Sequence, residues 1–296
     1  MRRDVLETFH PAIVFAFFVV AIVLAVLASD PAFLAINLIC SAAYYLCLKG
    51  RTGWKVVLGM VPLFVALMLV NPLFNTMGDT ILFTWLGGRP YTLEALAYGA
   101  VTAAMFVAVL LWFFSYNRVM TTDKFTYLFG GLMPALTLVF TMVLRLVPTY
   151  QRKATEIMGA RDCIGHSVAR GTVKERSIAA TSLLSSLTAW ALEGGVITAD
   201  SMRSRGYGVG KRTSFALYRF TRRDVVLLLV LAVLATLAFV GYFAGVTPIE
   251  YYPVIAPAAY APLGLVGLLA SAAFLAIPTI LDLWETASWR ISLSKI

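Results

Sequence analysis

The chain has 296 residues, of which 60% are hydrophobic and only 13% are charged, and its mean hydropathy is +0.84. Soluble globular proteins carry roughly 25% charged residues, so the composition excludes a soluble protein and indicates one embedded in a membrane. The formal net charge is +9. The cysteines Cys40, Cys47 and Cys163 are odd in number and lack metal-ligand spacing, so they predict neither a disulfide framework nor a metal site.

Apolar stretches without charged residues follow one another along the chain, at 11–29, 31–48, 56–78, 95–117, 125–144, 225–249 and 251–281. Crossing ~30 Å of hydrocarbon takes ~20 helical residues, because every backbone polar group must be paired inside the segment. We predict that all of these stretches except 125–144 cross the membrane. The expected fold is therefore an all-α polytopic membrane protein with about five or six transmembrane helices.

Basic residues near the ends of the first spans set the predicted orientation. Lysine and arginine in short loops collect on the cytoplasmic side of a membrane. Arg2 and Arg3 place the N-terminus in the cytoplasm, and the basic loop at 49–55 lies on the same side two crossings later. Four crossings then return the chain to the cytoplasm near Arg118.

The excess positive charge lies in one segment. Residues Arg145–Arg223 hold 14 basic and 5 acidic residues, a net charge of +9, whereas the rest of the chain is neutral. If 125–144 crossed the membrane, this segment would lie outside, against the positive-inside bias. Gly130, Gly131 and Pro134 also make 125–144 a poor straight span. We therefore predict an apolar helix at the inner face of the membrane or against the other helices.

A second apolar helix, 177–192, is predicted in the same segment, and its serine and threonine content is typical of close helix packing. The predicted parts are four transmembrane helices in 1–117, an inserted helical cytoplasmic or membrane-interface domain in 118–223, and a C-terminal transmembrane helix or helical hairpin in 224–296. In the last part, 225–249 would cross outward and 251–281 would return.

The stretch 201–215 contains glycines, hydroxyls and the pair Gly210-Lys211, which are features of a phosphate-binding loop. A Walker A loop has the form G-x-x-x-x-G-K-[ST], whose backbone N–H groups, lysine and hydroxyl hold phosphates and magnesium. Here Arg205 stands where the first glycine is required, and Arg212 stands where the hydroxyl is required. A dinucleotide fingerprint also fails, since no buried strand precedes the glycines. The stretch must serve another purpose than nucleotide binding.

Residues for catalysis are scarce. Two histidines, His10 and His166, are too few for multi-histidine metal sites. The run Gly159-Ala160-Arg161 matches the start of the CDP-alcohol phosphotransferase motif, but that chemistry needs downstream aspartates, and after Asp162 the next acid is Glu175. We therefore predict no catalytic, cofactor-binding or metal-binding residue in this chain.

Two predicted helix ends in the basic segment have similar sequences. Each helix leads to an arginine with small neighbours, in Ala160-Arg161-Asp162 and in Ser204-Arg205-Gly206, and a glycine follows soon after. Glycine ends helices in the left-handed conformation, and arginine in the last turn is favoured by the helix dipole. Two ordinary helix C-caps explain the pattern in one interpretation. In the other, the small neighbours let the surface of a partner protein approach each guanidinium group.

In these two segments the sequence resembles the T component, the transmembrane coupling subunit, of energy-coupling factor (ECF) transporters. Members of that family show R-F-x-P followed by an acidic residue and A-R-G or A-R-S, and later A-D-x-M-x-x-R-G-Y. The matching residues are Arg145, Pro148, Glu156, Ala160 and Arg161 in the first segment, and Ala199, Asp200, Met202, Arg205, Gly206 and Tyr207 in the second. His10-Pro11 and Arg222-Arg223-Asp224 also fit, so the resemblance covers about 10–245.

The resemblance implies a non-catalytic subunit in the cell membrane of a prokaryote. Its implied partners are two ABC-type ATPase subunits, which would bind ATP and Mg²⁺, a substrate-binding integral membrane S component for a vitamin or metal ion, and the lipid bilayer. No nucleic acid partner is expected. The ATPase-coupling residues would be Ala160–Asp162 and Ser204–Gly206, with Arg161 and Arg205 each donating a forked pair of hydrogen bonds to an ATPase carboxylate. Supporting residues would be Arg145, Pro148, Glu156, Asp200, Met202 and Tyr207.

Asp162 departs from the family pattern, which has a small residue there, and it could pair with Arg161 itself. Three alternatives stay open. A self-sufficient secondary transporter would need a polar site at the membrane midplane, a CDP-alcohol phosphotransferase-like enzyme would transfer lipid groups, and a scaffold would only bind anionic lipid through its basic patch. The transported substrate, the use of one or several S components and the role of 246–296 do not follow from the sequence.

Overall fold

The structure is a computed structural model that describes residues 5–27, 29–85, 89–130, 133–165, 172–210, 218–247, 249–253, 255 and 259–293. Its contacts divide the chain into two compact units. Unit 1 consists of Met1–Phe125 and Tyr218–Ile296, and unit 2 consists of Thr126–Leu217. The boundaries 1–117, 118–223 and 224–296 stay a prediction from the sequence.

Helices dominate both units. Unit 1 contains 3₁₀ turns at Val5–Thr8 and Gly50–Thr52, and the helices α1 (Pro11–Leu27), α2 (Pro31–Lys49), α3 (Gly53–Phe74), α4 (Leu93–Val119), α8 (Arg222–Gly245) and α9 (Pro262–Leu293). The helix α5 (Thr122–Gly130) joins the two units along the chain, and unit 2 contains α6 (Pro134–Cys163) and α7 (Val173–Ser204). A short antiparallel hairpin, β1 (Ile81–Trp85) and β2 (Arg89–Thr92), connects α3 to α4.

Five helices of the described chain are long and apolar enough to cross a membrane: α2, α3, α4, α8 and the part Pro262–Trp289 of α9. The apolar α1 is shorter, with 17 residues. The prediction of an all-α polytopic membrane protein with about five or six transmembrane helices is confirmed. The β-hairpin was not predicted.

Two segments differ from the expectation. The stretch 125–144 forms parts of two helices, because α5 ends at Gly130 and α6 begins at Pro134. Proline is favourable in the first turn of a helix and unfavourable in its interior, so a new helix starts there. The last apolar helix begins at Pro262 and not at the start of the predicted stretch 251–281, because prolines interrupt the earlier part.

The core of unit 1 forms around α1. Phe17 stacks on Phe274 of α9 with ring centroids 5.2 Å apart, and its edge meets Trp112 of α4 at 5.6 Å. All three rings are at most 2% exposed. The indole Nε1–H of Trp112 donates to Asn37 Oδ1 of α2 at 2.7 Å, which satisfies a polar group in an apolar surrounding. These contacts tie α1, α2, α4 and α9 together.

We predict that Trp112→Phe destabilises the protein by roughly 1–3 kcal/mol, because the buried Asn37 amide loses its donor while most of the ring packing stays. Thermal unfolding of the detergent-solubilised protein measures the change. Trp54→Phe is the matched control, since Trp54 is 56% exposed. Equal unfolding temperatures for the two variants would contradict the role of the hydrogen bond.

In unit 1, hydrogen bonds between distant residues connect helix ends at two places, one near the start of α1 and one near the start of α2. Lys124 Nζ, after α4, donates to the Glu7 carbonyl, before α1, at 2.9 Å. Tyr260 OH, before α9, donates to Asp30 Oδ1, at the start of α2, at 2.7 Å. Burial and this hydrogen bond raise the pKa of Tyr260 to about 12, so the phenol stays a donor at neutral pH. The helices therefore alternate in direction between two ends, as membrane crossing requires.

Candidate functional site

The predicted coupling residues lie on α6 and α7 of unit 2, which pack antiparallel. Tyr150 of α6 meets Trp190 of α7 with ring centroids 5.5 Å apart, and Lys153 Nζ lies 5.9 Å from the centre of the Trp190 ring. Further along α6, Arg161 contacts α7 near Ala179. Later residues of α6 thus contact earlier residues of α7, so the two helices run in opposite directions.

Both helices are exposed over most of their length. Among their described side chains, Ala179 is the only buried one, at 8% exposure. The exposed side chains include large apolar residues, among them Leu136, Val139, Phe140 and Val143 of α6 and Val196 and Ile197 of α7. Exposed apolar patches of this kind mark surfaces that contact other proteins or a membrane.

The first predicted arginine is already bound within unit 2. The Arg161 guanidinium donates through Nη1 to the Ala179 carbonyl at 3.0 Å, and through Nη2 to Ser182 Oγ. No ion pair joins Arg161 to Asp162 in the described chain, so the pairing suggested by their adjacency does not form. Asp162 is exposed. Arg161 therefore fastens the end of α6 to the first part of α7.

The second predicted arginine lies within a Schellman cap, in which two hydrogen bonds close the end of a helix. The Tyr207 N–H donates to the Met202 carbonyl at 3.0 Å. The Gly206 N–H donates to the Arg203 carbonyl, also at 3.0 Å. Gly206 has φ = +81°, the left-handed conformation that glycine adopts at low cost. Arg205 is thereby held at the C-cap position, just before the chain reverses.

Arg205 lies between the small residues Ser204 and Gly206 and is exposed. Within the ranges described by the structure, its side chain has no hydrogen-bond or ion-pair partner. Along α7, Arg205 lies roughly 40 Å beyond Ala179, at ~1.5 Å per residue. The structure therefore separates the two predicted arginines. Arg161 lies within the α6–α7 contact. Arg205 lies at the exposed C-terminal end of α7, called the open end of α7 below.

The supporting residues lie on the same two helices, except Tyr207, which follows the end of α7. Arg145, Pro148 and Glu156 are exposed positions of α6, and Glu156 forms an ion pair of 3.0 Å with Lys153. Lys153 thus connects Glu156 to the Trp190 ring. On α7, Asp200 is exposed, and Met202 is half-buried and accepts a hydrogen bond of the cap. Tyr207 is 42% exposed.

The sequence missed Ser182, Ala179 and Trp190 as partners of the first site. The serine and threonine pattern of 177–192 predicted helix packing, and the Ser182 hydroxyl does accept a hydrogen bond from Arg161 of α6. The hydroxyls of Thr181, Ser186 and Thr188 instead donate to backbone carbonyls of their own helix. Across the described residues, no group of three or more histidine, cysteine, aspartate or glutamate side chains could hold a metal ion. His166 and the phosphate-loop residues Lys211 and Arg212 lie outside the described residues.

Two proteins described as "Energy-coupling factor transporter transmembrane protein EcfT" are similar to the chain. The protein from Listeria innocua serovar 6a is 32% identical over 197 residues, which cover 61% of this chain and 73% of that protein. The protein from Staphylococcus aureus is 26% identical over 205 residues, which cover 65% of this chain and 76% of that protein. No family model matches the chain.

Proposed function

The chain belongs to the EcfT family of energy-coupling factor transporter transmembrane proteins, and from this membership we propose that it couples two ABC-type ATPases to a separate substrate-binding membrane protein. The ATPases would bind ATP and Mg²⁺, and this chain would transmit their motion without catalysing a reaction itself. The substrate-binding protein would take up a micronutrient, either a vitamin or a metal ion.

The observation that supports this proposal best is the open end of α7. Arg205 is exposed, has no partner in the described chain and is flanked by small residues. A guanidinium group in this position can donate a forked pair of hydrogen bonds to a carboxylate in a groove of an ATPase. The Schellman cap through Gly206 fixes the backbone at Arg205.

The exposed apolar side chains of α6 and α7 support a second contact. A pair of long helices that leaves Phe140, Val143, Val196 and Ile197 uncovered has room for a membrane-embedded partner. We propose that the substrate-binding protein lies against this surface. Movement of the α7 end by the ATPases would then reach that partner through the last turns of α7, because Val196 and Ile197 lie close to Arg205 along the helix.

Co-purification tests the proposal. The full chain, co-expressed with its two proposed ATPase partners, should co-purify with them, and the purified chain alone should not hydrolyse ATP. Substrate uptake into vesicles that contain this chain without ATPases would instead establish the secondary transporter. Transfer of a lipid group by the purified chain would establish the phosphotransferase.

The proposed orientation places unit 2 in the cytoplasm, and the exposed thiol of Cys163 at the end of α6 tests it. In a variant with Cys40→Ala and Cys47→Ala, a membrane-impermeant thiol reagent should label Cys163 only after lysis. The matched control adds Met77→Cys and Cys163→Ala, because Met77 is 65% exposed in the connection after α3, on the proposed outer side. This control should be labelled in intact cells. Labelling of Cys163 in intact cells would reverse the orientation.

Arg161→Ala should weaken ATPase binding less than Arg205→Ala does, because Arg161 already donates to Ala179 and Ser182. Its main effect should be faster hydrogen exchange of the α6–α7 contact, since the lost hydrogen bonds are worth ~1 kcal/mol each. Ser182→Ala removes one of the two hydrogen bonds of Arg161 and should raise the hydrogen-exchange rate less than Arg161→Ala does. A larger loss of ATPase binding for Arg161→Ala than for Arg205→Ala would contradict the assigned roles.

A further inference from the structure

A cavity of about 390 Å³ lies in unit 1, where α1 and α8 begin. Its lining includes His10, Tyr218, Arg219, Arg222, Arg223 and Asp224. The volume falls within the roughly 300–1,000 Å³ of typical small-molecule sites. This cavity, called the basic cavity below, has no part in the proposed contacts of α6 and α7.

Three arginines give the basic cavity its charge. Arg219, Arg222 and Arg223 are exposed, and the structure, over the ranges it describes, gives them no hydrogen-bond or ion-pair partner. Their guanidinium groups can each donate a fork of hydrogen bonds, the geometry that matches phosphate oxygens. The cavity is therefore cationic and has donors available for an anion.

The one acid in the lining does not neutralise these arginines. Asp224 is 4% exposed and accepts hydrogen bonds from Thr221 N–H at 2.8 Å, from Thr221 Oγ at 2.7 Å and from His10 N–H at 3.2 Å. Its carboxylate thus caps α8 and holds the chain before α1, facing into the fold. Three arginines and one aspartate leave the lining with an excess of positive charge.

Aromatic residues of the lining, His10 and Tyr218 among them, form the other wall of the basic cavity, and Phe220, which is not part of the lining, packs against His10. The His10 ring stacks on Phe220 with centroids 3.9 Å apart, and Tyr218 meets its edge at 6.3 Å. Burial lowers the pKa of His10, against the opposing effect of Asp224, and this favours the neutral imidazole. The site therefore combines a cationic side with an uncharged aromatic side.

We propose that the basic cavity binds the phosphate of an anionic phospholipid headgroup. The apolar runs of α1 and α8 begin at Pro11 and Val225, directly after cavity residues, so the cavity lies at the depth of the headgroups. Basic pockets between membrane helices on the cytoplasmic side are suited to such lipids. A free phosphate ion offers the same oxygens, but it lacks acyl chains that would lie along the adjacent apolar helices.

Native mass spectrometry of the full chain tests the proposal, using the delipidated protein in detergent with phosphatidylglycerol or phosphatidylcholine of the same acyl chains. Phosphatidylglycerol should bind about tenfold more tightly, because its headgroup carries a net negative charge that phosphatidylcholine lacks. The double variant Arg222→Gln and Arg223→Gln should lose this preference. Arg118→Gln is the matched control, since Arg118 is an exposed arginine in the last turn of α4, outside the cavity, and it should keep the preference.

Three results would overturn the proposal. The first is equal affinity of the parent chain for both lipids. The second is that Arg118→Gln loses the preference for phosphatidylglycerol as fully as the double variant does, and the third is displacement of phosphatidylglycerol by inorganic phosphate. A photoactivatable phosphatidylglycerol gives a readout that needs no variant, and it should label peptides that contain 8–10 or 218–224. Labelling confined to other peptides would contradict the site. Because the chain is measured without ATPases, the outcome is independent of the coupling role.

Discussion

Arg205→Ala should lower the affinity of the chain for its ATPase partners at least tenfold and slow ATP-driven uptake. Removing one partner of a desolvated charge pair costs ~2–5 kcal/mol, and each ~1.4 kcal/mol is a factor of ten in affinity. Part of that cost comes from the ATPase carboxylate, which would be left buried without a donor. The variant should fold normally, because the Arg205 side chain has no partner in the described chain.

The measurement is co-purification and uptake for Arg205→Ala beside two comparison variants. Arg203→Ala removes an exposed arginine two positions earlier, on another face of the last turn of α7, and should have little effect because solvated charges contribute little. Arg205→Lys keeps the charge but loses the forked geometry of the guanidinium group. Its ATPase binding and uptake should therefore lie between those of the parent chain and those of Arg205→Ala. If Arg203→Ala and Arg205→Ala behave alike, a general surface charge explains the binding and the assigned contact is wrong.

Local signals predicted the helix ends well. Gly165 and Gly208 were expected in the left-handed conformation after the two helix ends, and both have positive φ, at +82° and +95°. The Schellman cap of α7 closes earlier than expected, at Gly206. Pro134 was expected to disturb a straight helix, and a new helix begins there. Such signals act through a few neighbouring residues, so they can be identified from sequence without knowledge of the tertiary fold.

Contacts between distant residues could not be predicted in the same way. Arg161 and Asp162 are adjacent in sequence, but the Arg161 guanidinium instead reaches Ala179 and Ser182 of the next helix. That choice depends on how α6 packs against α7, which no local pattern specifies. The hairpin of β1 and β2 was missed for a related reason, since Ile81–Trp85 continues an apolar composition that also fits a loop at a membrane surface.

One tertiary contact did have a signal that sequence reasoning overlooked. Gly241 and Gly245 stand four residues apart in α8, the spacing that lets membrane helices approach closely. In the structure they lie against Gly267 and Gly264 of α9. A Cβ atom at either position of α8 would overlap the facing backbone, which cannot move aside as a flexible side chain would. The close packing at these glycines therefore holds α9, in the segment after residue 246, against α8 of unit 1.

The double substitution Gly241→Ala and Gly245→Ala should destabilise the protein by about 2–6 kcal/mol, since overpacking costs ~1–3 kcal/mol at each site. Helix propensity alone would predict the opposite change in stability, because alanine favours a helix by ~1 kcal/mol over glycine. Gly59→Ala in α3 is the matched control, because a Cβ there meets open space, and it should be neutral or slightly stabilising. Thermal unfolding in detergent and hydrogen exchange of α9 measure both effects. A double variant as stable as Gly59→Ala would show that the close contact of α8 and α9 does not hold this part of the chain.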